Sequence, residues 1–351
     1  MQAVILKCTP NAQFHFGQLA IDENTSLDDT SEYLHSDTLF SAIINIAARV
    51  YPQQTDDLVQ HFETGNLGVS SGFYCLETAP GQYVYFLPKP LSCQAFRLGN
   101  ENQDKFKKLK KVKYVSKKVW EEGITPDRWQ TECVFLQKKF VLHPSELPED
   151  LRAEAPEIRI FDKESLPKVK VHTAVQEDNL YMQTNIQIQD NEQLNLTPKV
   201  HFYFLLKTDS PDADYHKQLK TILRFLADAG IGGERSAGLG QLESIEFQDF
   251  ALQVTTPNAW SNLSLTIPQS ENEAARLKYY ELVSRGGRAT GRKLKDGTLE
   301  KLLGVRMVKE GAVLQEPIAG HTVSIAPKNT PYPYLRYGQC FALQLHSNFS
   351  L

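Results

Sequence analysis

YHKQLKTILRFLADAGIGGERSAGLGQLESIEF, residues 215–247, is the stretch around which the rest of the chain is organised. In its first half, apolar side chains recur at steps of three and four residues, which predicts one buried stripe along an amphipathic helix. Gly230 follows where a helix C-terminus favours a residue that can adopt positive φ. Residues 241–247 then read as a short strand. The helical stripe consists of Leu219, Ile222, Leu223, Leu226 and Ala229.

A glycine-rich loop lies between this helix and strand, with five glycines among residues 230–240. Glycine lets backbone N–H groups approach a ligand closely, and successive N–H groups in turns form concavities that bind anions. A P-loop or a dinucleotide-binding loop is excluded, because those loops join a strand to a following helix and here the order is reversed. Leu239 and Gly240 also stand where a P-loop requires Lys and Ser or Thr. A phosphate-binding loop and a plain mobile turn both stay open.

The order of a helix, GIGGERSAGLGQ and a strand resembles the glycine-rich loop of the RAMP superfamily of CRISPR RNA-binding proteins. Within that superfamily, the chain is similar to the subunit of the type III-A (Csm) effector that holds the 5′ end of the crRNA. The resemblance implies that the loop contacts the RNA backbone at the repeat-derived 5′ tag. The residues that carry over to this role are Gly232, Gly233, Arg235, Ser236, Gly238 and Gly240.

A second amphipathic helix is predicted in YLHSDTLFSAIINIAARVYP, residues 33–52. Ser36 is the expected N-cap, Asp37 suits the positive end of the helix dipole, and Pro52 lies beyond the C-terminus. By itself HSDT is only a cap and a first turn. In the RAMP subunits that the chain resembles, a similar helix start lies near the glycine loop and borders the RNA. The resemblance therefore implies His35 and Ser36 as RNA contacts.

The most basic segment is KFKKLKKVKYVSKK, residues 105–118, with eight lysines in fourteen residues. Such a run is usually a solvated face. The interleaved Phe106 and Tyr114 also suit a local site for a nucleic-acid backbone, so both interpretations stay open.

Two alternating runs in residues 166–189, LPKVKVHTAVQEDNLYMQTNIQIQ, predict a long hairpin. The related proteins carry a protruding thumb here, after an acidic and basic pair that His172 and Thr173 replace in this chain. Lys168, Lys170 and His172 are candidates for contacts with the RNA backbone. A plain hairpin that faces solvent is the alternative.

The predicted elements follow the order strand, helix, hairpin, insertion, strand, helix, glycine loop and strand, which is that of a βαββαβ unit. We therefore predict an α+β protein with two ferredoxin-like (RRM-like, βαββαβ) domains. The N-terminal domain spans residues 1–250, with an insertion at about 91–198 and the glycine-rich loop at 230–240. The C-terminal domain spans residues 251–351. Residues 260–267 are predicted as its first strand and residues 271–283 as a helix, and a basic loop follows with Arg285, Arg288, Arg292, Lys293 and Lys295.

Composition limits the possible functions. The chain of 351 residues has 38 Lys and Arg against 42 Asp and Glu, so an RNA-binding surface must be local. The five cysteines and nine histidines show no metal-ligand spacing, and we expect no disulfide framework, no metal and no cofactor. No signal-peptide pattern and no run of eighteen apolar residues occurs, which predicts a cytoplasmic protein that does not enter a membrane.

Two functions follow from the resemblance. The first is a non-catalytic scaffold, not an enzyme, whose implied partners are the crRNA 5′ tag, the large polymerase-like signature subunit and a neighbouring backbone RAMP subunit. The alternative is a RAMP-type, metal-independent endoribonuclease that processes pre-crRNA. That chemistry needs a general acid and base, usually a histidine with a second polar group. His15 and His35 lie near the first strand and helix, but the sequence shows no compelling histidine pair.

Overall fold

The computed structural model describes residues 1–17, 29–95, 109–170, 179–194, 196–209, 212–293, 299–327, 330 and 334–349. Helices and strands are mixed along the described chain, so the predicted α+β class is confirmed. No described helix is long and apolar enough to cross a membrane. The helices are α1 (Ser36–Val50), α2 (Thr55–Glu63), α3 (Lys117–Glu121), α4 (Trp129–Glu132), α5 (Glu149–Glu154), α6 (Ala213–Ala229) and α7 (Glu271–Ala274).

The strands before residue 250 form one large sheet and a smaller one. In the large sheet the order is β12-β1-β11-β4-β5-β6-β8-β7, with β3 also paired to β11, and in the smaller sheet it is β2-β10-β9. These strands are β1 (Gln2–Lys7), β2 (Gln13–Phe14), β3 (Leu67–Val69), β4 (Phe73–Ala79), β5 (Gln82–Pro88), β6 (Tyr114–Ser116), β7 (Val134–Leu136), β8 (Phe140–Leu142), β9 (Phe161–Lys170), β10 (Asn179–Ile188), β11 (Lys199–Thr208) and β12 (Ser244–Asp249).

The middle of the large sheet has the connectivity expected of a split βαβ unit. β1 lies between β12 and β11, and β4 lies on the other side of β11, with all three pairings antiparallel. α1 lies between β1 and β4 in the chain, and α6 connects β11 to β12. The loop from α6 to β12 is the glycine-rich loop, which is therefore placed at one end of this sheet.

Both faces of the central strand β11 are buried, which explains its nearly unbroken apolar sequence. Phe202 and Phe204 share one hydrophobic cluster with the apolar sides of α1 and α6. Tyr203 and Leu205 point to the opposite face and share a second cluster with C-terminal residues such as Phe341. This part of the sheet is therefore covered on both faces, unlike the open sheet on which RRM domains stack bases.

The insertion extends the large sheet and adds a hairpin. β6 pairs with β5, and β8 and β7 continue the sheet beyond it. β9 and β10 pair along their full lengths, with Phe161 opposite Ile188 at one end and Lys170 opposite Asn179 at the other. This pairing confirms the predicted long hairpin.

The C-terminal part differs from the prediction. Residues 271–283 are not one helix, because α7 is a single turn and the following residues pair with distant strands. A second ferredoxin-like domain is not confirmed: the described residues form a sheet of order β14-β19-β13-β22 and three two-stranded ribbons. The strands are β13 (Pro257–Asn262), β14 (Leu277–Tyr279), β15 (Leu282–Arg285), β16 (Arg288–Lys293), β17 (Leu299–Lys301), β18 (Val305–Val308), β19 (Val313–Leu314), β20 (Val323–Ser324), β21 (Leu335–Arg336) and β22 (Ala342–His346).

Candidate nucleic-acid interface

The glycine-rich loop is anchored at its base by backbone hydrogen bonds. Gly230 ends α6 with φ 69°, as predicted, and its N–H donates to Leu226 O. The Gly240 N–H donates to Gln13 O at 2.8 Å, and the Gly233 N–H donates to His15 O at 2.8 Å. The loop is therefore tied to the segment that begins with β2.

Close backbone contact explains two of the glycines. Gly232 has φ 88°, and a Cβ there would lie 2.6 Å from the His15 carbonyl oxygen. A Cβ on Gly240 would overlap the Ile231 carbonyl oxygen. These two glycines shape the loop, so bulkier residues at Gly232 would disturb its structure as well as any ligand contact.

The tip of the loop, residues 234–238, is the part that faces outward. Arg235, Ser236 and Gly238 are exposed, and Arg235–Ala237 form one 3₁₀ turn. Among the described residues, the backbone N–H groups of Glu234, Arg235 and Ser236 donate to no acceptor. Glu234 has φ 54°, in the left-handed region, and a right-handed turn follows it. Such an alternation points successive N–H groups into one concavity that suits an anion.

The charges at the tip oppose each other. Arg235 donates from Nη1 to Ala229 O at 3.3 Å, where a cation is also favoured by the C-terminal end of the α6 dipole. The neighbouring Glu234 is half-buried and brings a negative charge to the same turn. Gly238 adds no side chain, and no atom lies within 4 Å of where its Cβ would be. The tip thus offers backbone donors, one cation and open space.

Unlike the exposed tip of the glycine-rich loop, the start of α1 is buried. His35, not Ser36, is the N-cap, so the predicted cap is wrong by one residue. The Ser36 hydroxyl instead accepts from the Leu265 N–H at 3.0 Å. The His35 Nδ1 contacts Glu310 Oε1 at 2.7 Å. Both residues are buried, and their polar groups are used to join α1 to the C-terminal part of the chain.

Asp37 lies at the same junction and is the centre of a buried ion cluster, which the sequence analysis did not predict. Arg285 donates to both of its carboxylate oxygens, at 2.9 and 3.0 Å, and Arg336 Nη1 donates to Oδ2 at 2.6 Å. Although burial raises the pKa of Asp37, the two guanidinium groups outweigh it and hold that pKa well below its usual range. Arg285, predicted as part of a basic loop, is therefore a structural residue. Only its separation of 248 residues from Asp37 kept the pair hidden in the sequence.

The two histidines considered for catalysis are both buried. His15 lies beneath the glycine loop, and its Nδ1 contacts Thr184 O at 2.8 Å. His35 contacts Ser31 Oγ through its other ring nitrogen at 3.0 Å. Both rings are almost fully buried, although His35 also lines a cavity between α1, the insertion and the C-terminal strands.

The other predicted contacts are spread over the insertion. Lys168 is half-buried in β9 opposite Tyr181, and Lys170 is the last residue of that strand. His172 lies outside the described residues. In the lysine run, Tyr114 is fully buried against Phe140 and is not available for stacking on a base. Phe106 also lies outside the described residues.

Several described lysines of that run pair with carboxylates. Lys113 contacts Glu32 at 2.9 Å and Lys117 contacts Glu121 at 3.1 Å. Among the described residues, no group of three or more His, Cys, Asp or Glu is arranged to hold a metal ion.

Comparisons with known proteins identify a family model and curated relatives that this chain resembles. Residues 255–345 match the family model of the CRISPR Csm4 C-terminal domain. A curated Csm4 protein of Methanocaldococcus jannaschii is 25% identical over 94% of this chain and 90% of its own length. A Csm4 protein of Thermococcus onnurineus is 26% identical over 74% of this chain and 76% of its own length.

Solved structures share the fold over the whole chain. One is a crystal structure of a Csm3–Csm4 subcomplex of the type III-A CRISPR–Cas interference complex, with 21% identity and a TM-score of 0.66 over 99% of this chain and 100% of the matched chain. A second is a crystal structure of a Csm1–Csm4 cassette with cA4, with 18% identity and a TM-score of 0.55 over 99% of this chain and 98% of the matched chain. The family model over residues 255–345, the curated relatives and the shared fold all agree that this chain is similar to the Csm4 proteins of type III-A CRISPR complexes.

Proposed function

We propose that the chain is a non-catalytic subunit of a type III-A CRISPR effector complex and that its glycine-rich loop holds the 5′ tag of the crRNA. The observation that carries the proposal is the exposed turn with three successive N–H groups that lack acceptors among the described residues. An RNA phosphate would supply the acceptor oxygens that these donors lack.

The parts of the loop would have different tasks. The N–H groups of Glu234, Arg235 and Ser236 would receive a phosphate, while the Arg235 side chain would add charge. The open space at Gly238 would let the strand lie close to the backbone. Contacts of this kind position an RNA strand without reading its bases.

The names of the structural relatives suggest the partners. Those relatives were crystallised with Csm3 and with Csm1. We propose that this chain likewise contacts a neighbouring backbone subunit and the large signature subunit. The division at residue 250 and the cytoplasmic location stay predictions within this proposal, as do contacts of RNA with Lys168, Lys170 and His172.

The endoribonuclease alternative has less support. Cleavage without a metal requires a general base within reach of the RNA, usually through a hydrogen bond or one water. His15 and His35 are buried, with 3% and 5% of their surfaces exposed. For this reason we also leave His35 and Ser36 out of the proposed RNA surface.

Two matched glycine substitutions test the loop. Gly238 and Gly65 have φ values of 86° and 78°, are both exposed, and have no atom within 4 Å of an added Cβ. Asp is among the non-glycine residues that best tolerate this conformation, so Gly238→Asp and Gly65→Asp should cost similar stability. We expect Gly238→Asp to weaken crRNA binding by at least about tenfold, the size of one lost charge-assisted contact.

The measurement is the affinity of the purified effector complex for tagged crRNA at fixed salt, together with end-mapping of the RNA that co-purifies. Gly65→Asp should bind like the wild type. Equal affinities for Gly238→Asp and Gly65→Asp would contradict the proposed role of the loop.

A further inference from the structure

The segment of residues 13–16 lies between the glycine-rich loop and the β9–β10 hairpin. On one side, the carbonyl oxygens of Gln13 and His15 accept hydrogen bonds at 2.8 Å from the N–H groups of the loop residues Gly240 and Gly233. On the other side, β2 pairs with β10. Carbonyl groups two residues apart point to the same edge of a strand, so the segment presents one edge to the loop and the other to the hairpin.

The backbone pairing of this segment with β10 ends at Phe14. The Ile188 N–H donates to the Ala12 carbonyl oxygen at 2.9 Å, and hydrogen-bonded pairs recur at every second residue of an antiparallel ladder. The same register would place the Phe16 N–H on the Thr184 carbonyl oxygen. The Phe16 N–H donates instead to Thr30 Oγ1 at 2.9 Å. The main chain therefore turns away from the hairpin at the point where the next ladder bond would form.

The His15 side chain takes the place of that ladder bond. Its Nδ1 lies 2.8 Å from the Thr184 carbonyl oxygen. A carbonyl oxygen can only accept, so Nδ1 carries a proton and donates it. The ring is buried and also lies against the loop, because a Cβ on Gly233 would be 3.2 Å from His15 Cδ2. One residue thus binds the loop through its carbonyl group and the hairpin through its imidazole.

Thr184 is also the residue from which the hairpin extends away from the rest of the protein. At the base of the hairpin, Ile186 and Ile188 belong to the hydrophobic core. In the described part of the chain, residues 166–169 and 181–183 form no hydrogen bond or ion pair with a residue outside the hairpin. The bond from His15 is therefore the outermost hydrogen bond between β10 and the body of the described structure, and it helps to set the direction of the outer half.

We propose that His15 is a positioning residue for RNA binding, which fixes the direction of the β9–β10 hairpin relative to the glycine-rich loop. The inference rests on the proposed function and adds that the loop and the hairpin bind one RNA strand as a preorganised pair. Two contacts in a fixed geometry bind a strand more tightly than two that move independently, because less conformational freedom is lost on binding. The buried ring itself touches no RNA.

Two substitutions of nearly equal shape isolate the hydrogen bond. His15→Asn keeps an N–H donor, because the amide nitrogen of Asn takes the position of the imidazole Nδ1. His15→Leu has the same branching and no donor. The first measurement is the distance between spin labels at the exposed Val169 and Ser236, by double electron–electron resonance on the full-length chain without RNA. Labels carried on unnatural amino acids avoid reaction with the native cysteines.

The wild type and His15→Asn should show one narrow distance, which His15→Leu should lose in favour of a broad distribution. A control pair of labels, at the exposed Lys217 on α6 and at Ser236, should stay narrow in all three proteins. The second measurement is the affinity of the purified effector complex for tagged crRNA. We expect His15→Leu to weaken binding about fivefold, the size of one hydrogen bond, and His15→Asn to change it less than about twofold.

The outcomes separate this inference from the loop proposal. A distance between Val169 and Ser236 that stays narrow in His15→Leu would overturn the inference, and so would broadening of both label pairs, because His15 would then hold only the loop. If His15→Asn behaved like His15→Leu, ring packing rather than the N–H donor would position the hairpin.

A broader distance with unchanged crRNA affinity would overturn the role of His15 in RNA binding, whereas Gly238→Asp tests the loop independently. If His15→Leu does not fold, His15→Gln repeats both measurements with the same criteria, since its amide nitrogen lies one carbon farther from the backbone than Nδ1.

Discussion

The tip of the glycine-rich loop and the start of α1 carry the same expectation of RNA contact, but they lie in opposite environments. At the loop, Arg235 and Ser236 are exposed and three backbone donors have no acceptor in the described structure. At the start of α1, His35, Ser36 and Asp37 are buried, and each is bonded to a residue of the C-terminal part. A polar motif with all its partners inside the protein stabilises the fold, whereas one with unused donors can bind a ligand.

The largest expected effect is on stability, at Asp37. Asp37→Asn removes the charge that Arg285 and Arg336 share, and uncompensated buried charge costs about 3–5 kcal/mol. Asp56, also in the first turn of a helix but exposed, is the control, and Asp56→Asn should cost less than about 1 kcal/mol. Urea unfolding measures both. Equal losses for the two variants would mean that the buried cluster adds nothing beyond the helix dipole.

The same cluster predicts a dependence of stability on pH. The two arginines lower the pKa of Asp37. Outside this cluster, hydrogen bonds from Lys7, Gly81 and His201 outweigh the effect of burial and lower the pKa of Glu77 to about 2. A lowered pKa adds stability that is complete above the unfolded pKa of about 4 and is lost as pH falls toward the folded value. The free energy of unfolding should therefore fall below about pH 5, with a shallower fall in Asp37→Asn.

The next effect is on RNA affinity, at Arg235. Arg235→Ala should lower the affinity for crRNA by about 1.5–3 kcal/mol, because one charge-assisted contact is lost. Arg152 is a matched control, since it is also exposed and also donates to backbone carbonyl groups. Arg152→Ala should bind as the wild type does. If titration of the complex with labelled crRNA gave the same dissociation constant for both variants, Arg235 would only stabilise the end of α6.

The smallest expected effect is a gain in crRNA affinity when Glu234 is changed. Its carboxylate repels a phosphate placed on the neighbouring N–H groups, so Glu234→Gln should raise crRNA affinity a few-fold at low salt. The gain should shrink at high salt, where exposed charges are screened. The exposed Glu192, changed to Gln, is the control. An affinity that does not change for Glu234→Gln would place the phosphate away from this turn.

The local features of the N-terminal part were predictable because they depend on neighbouring residues. The apolar stripe of α6, the cap at Gly230 and the β9–β10 hairpin all follow from side-chain spacing or turn chemistry. The helix predicted over residues 271–283 was wrong because the conformation of these residues depends on distant parts of the chain. Leu277–Tyr279 and Leu282–Arg285 pair with β19 and β18, and this pairing overrides the helical spacing.

The sequence by itself determined the elements around the glycine-rich loop and the resemblance to CRISPR RNA-binding proteins, which agrees with the similarity to Csm4 proteins. Tertiary structure alone decided which polar residues remain available for a ligand. Asp37 meets Arg336 across 299 residues, and Ser36 meets Leu265 across 229. Such partners leave no local pattern, because burial forces each polar group to find whichever complement the fold brings close.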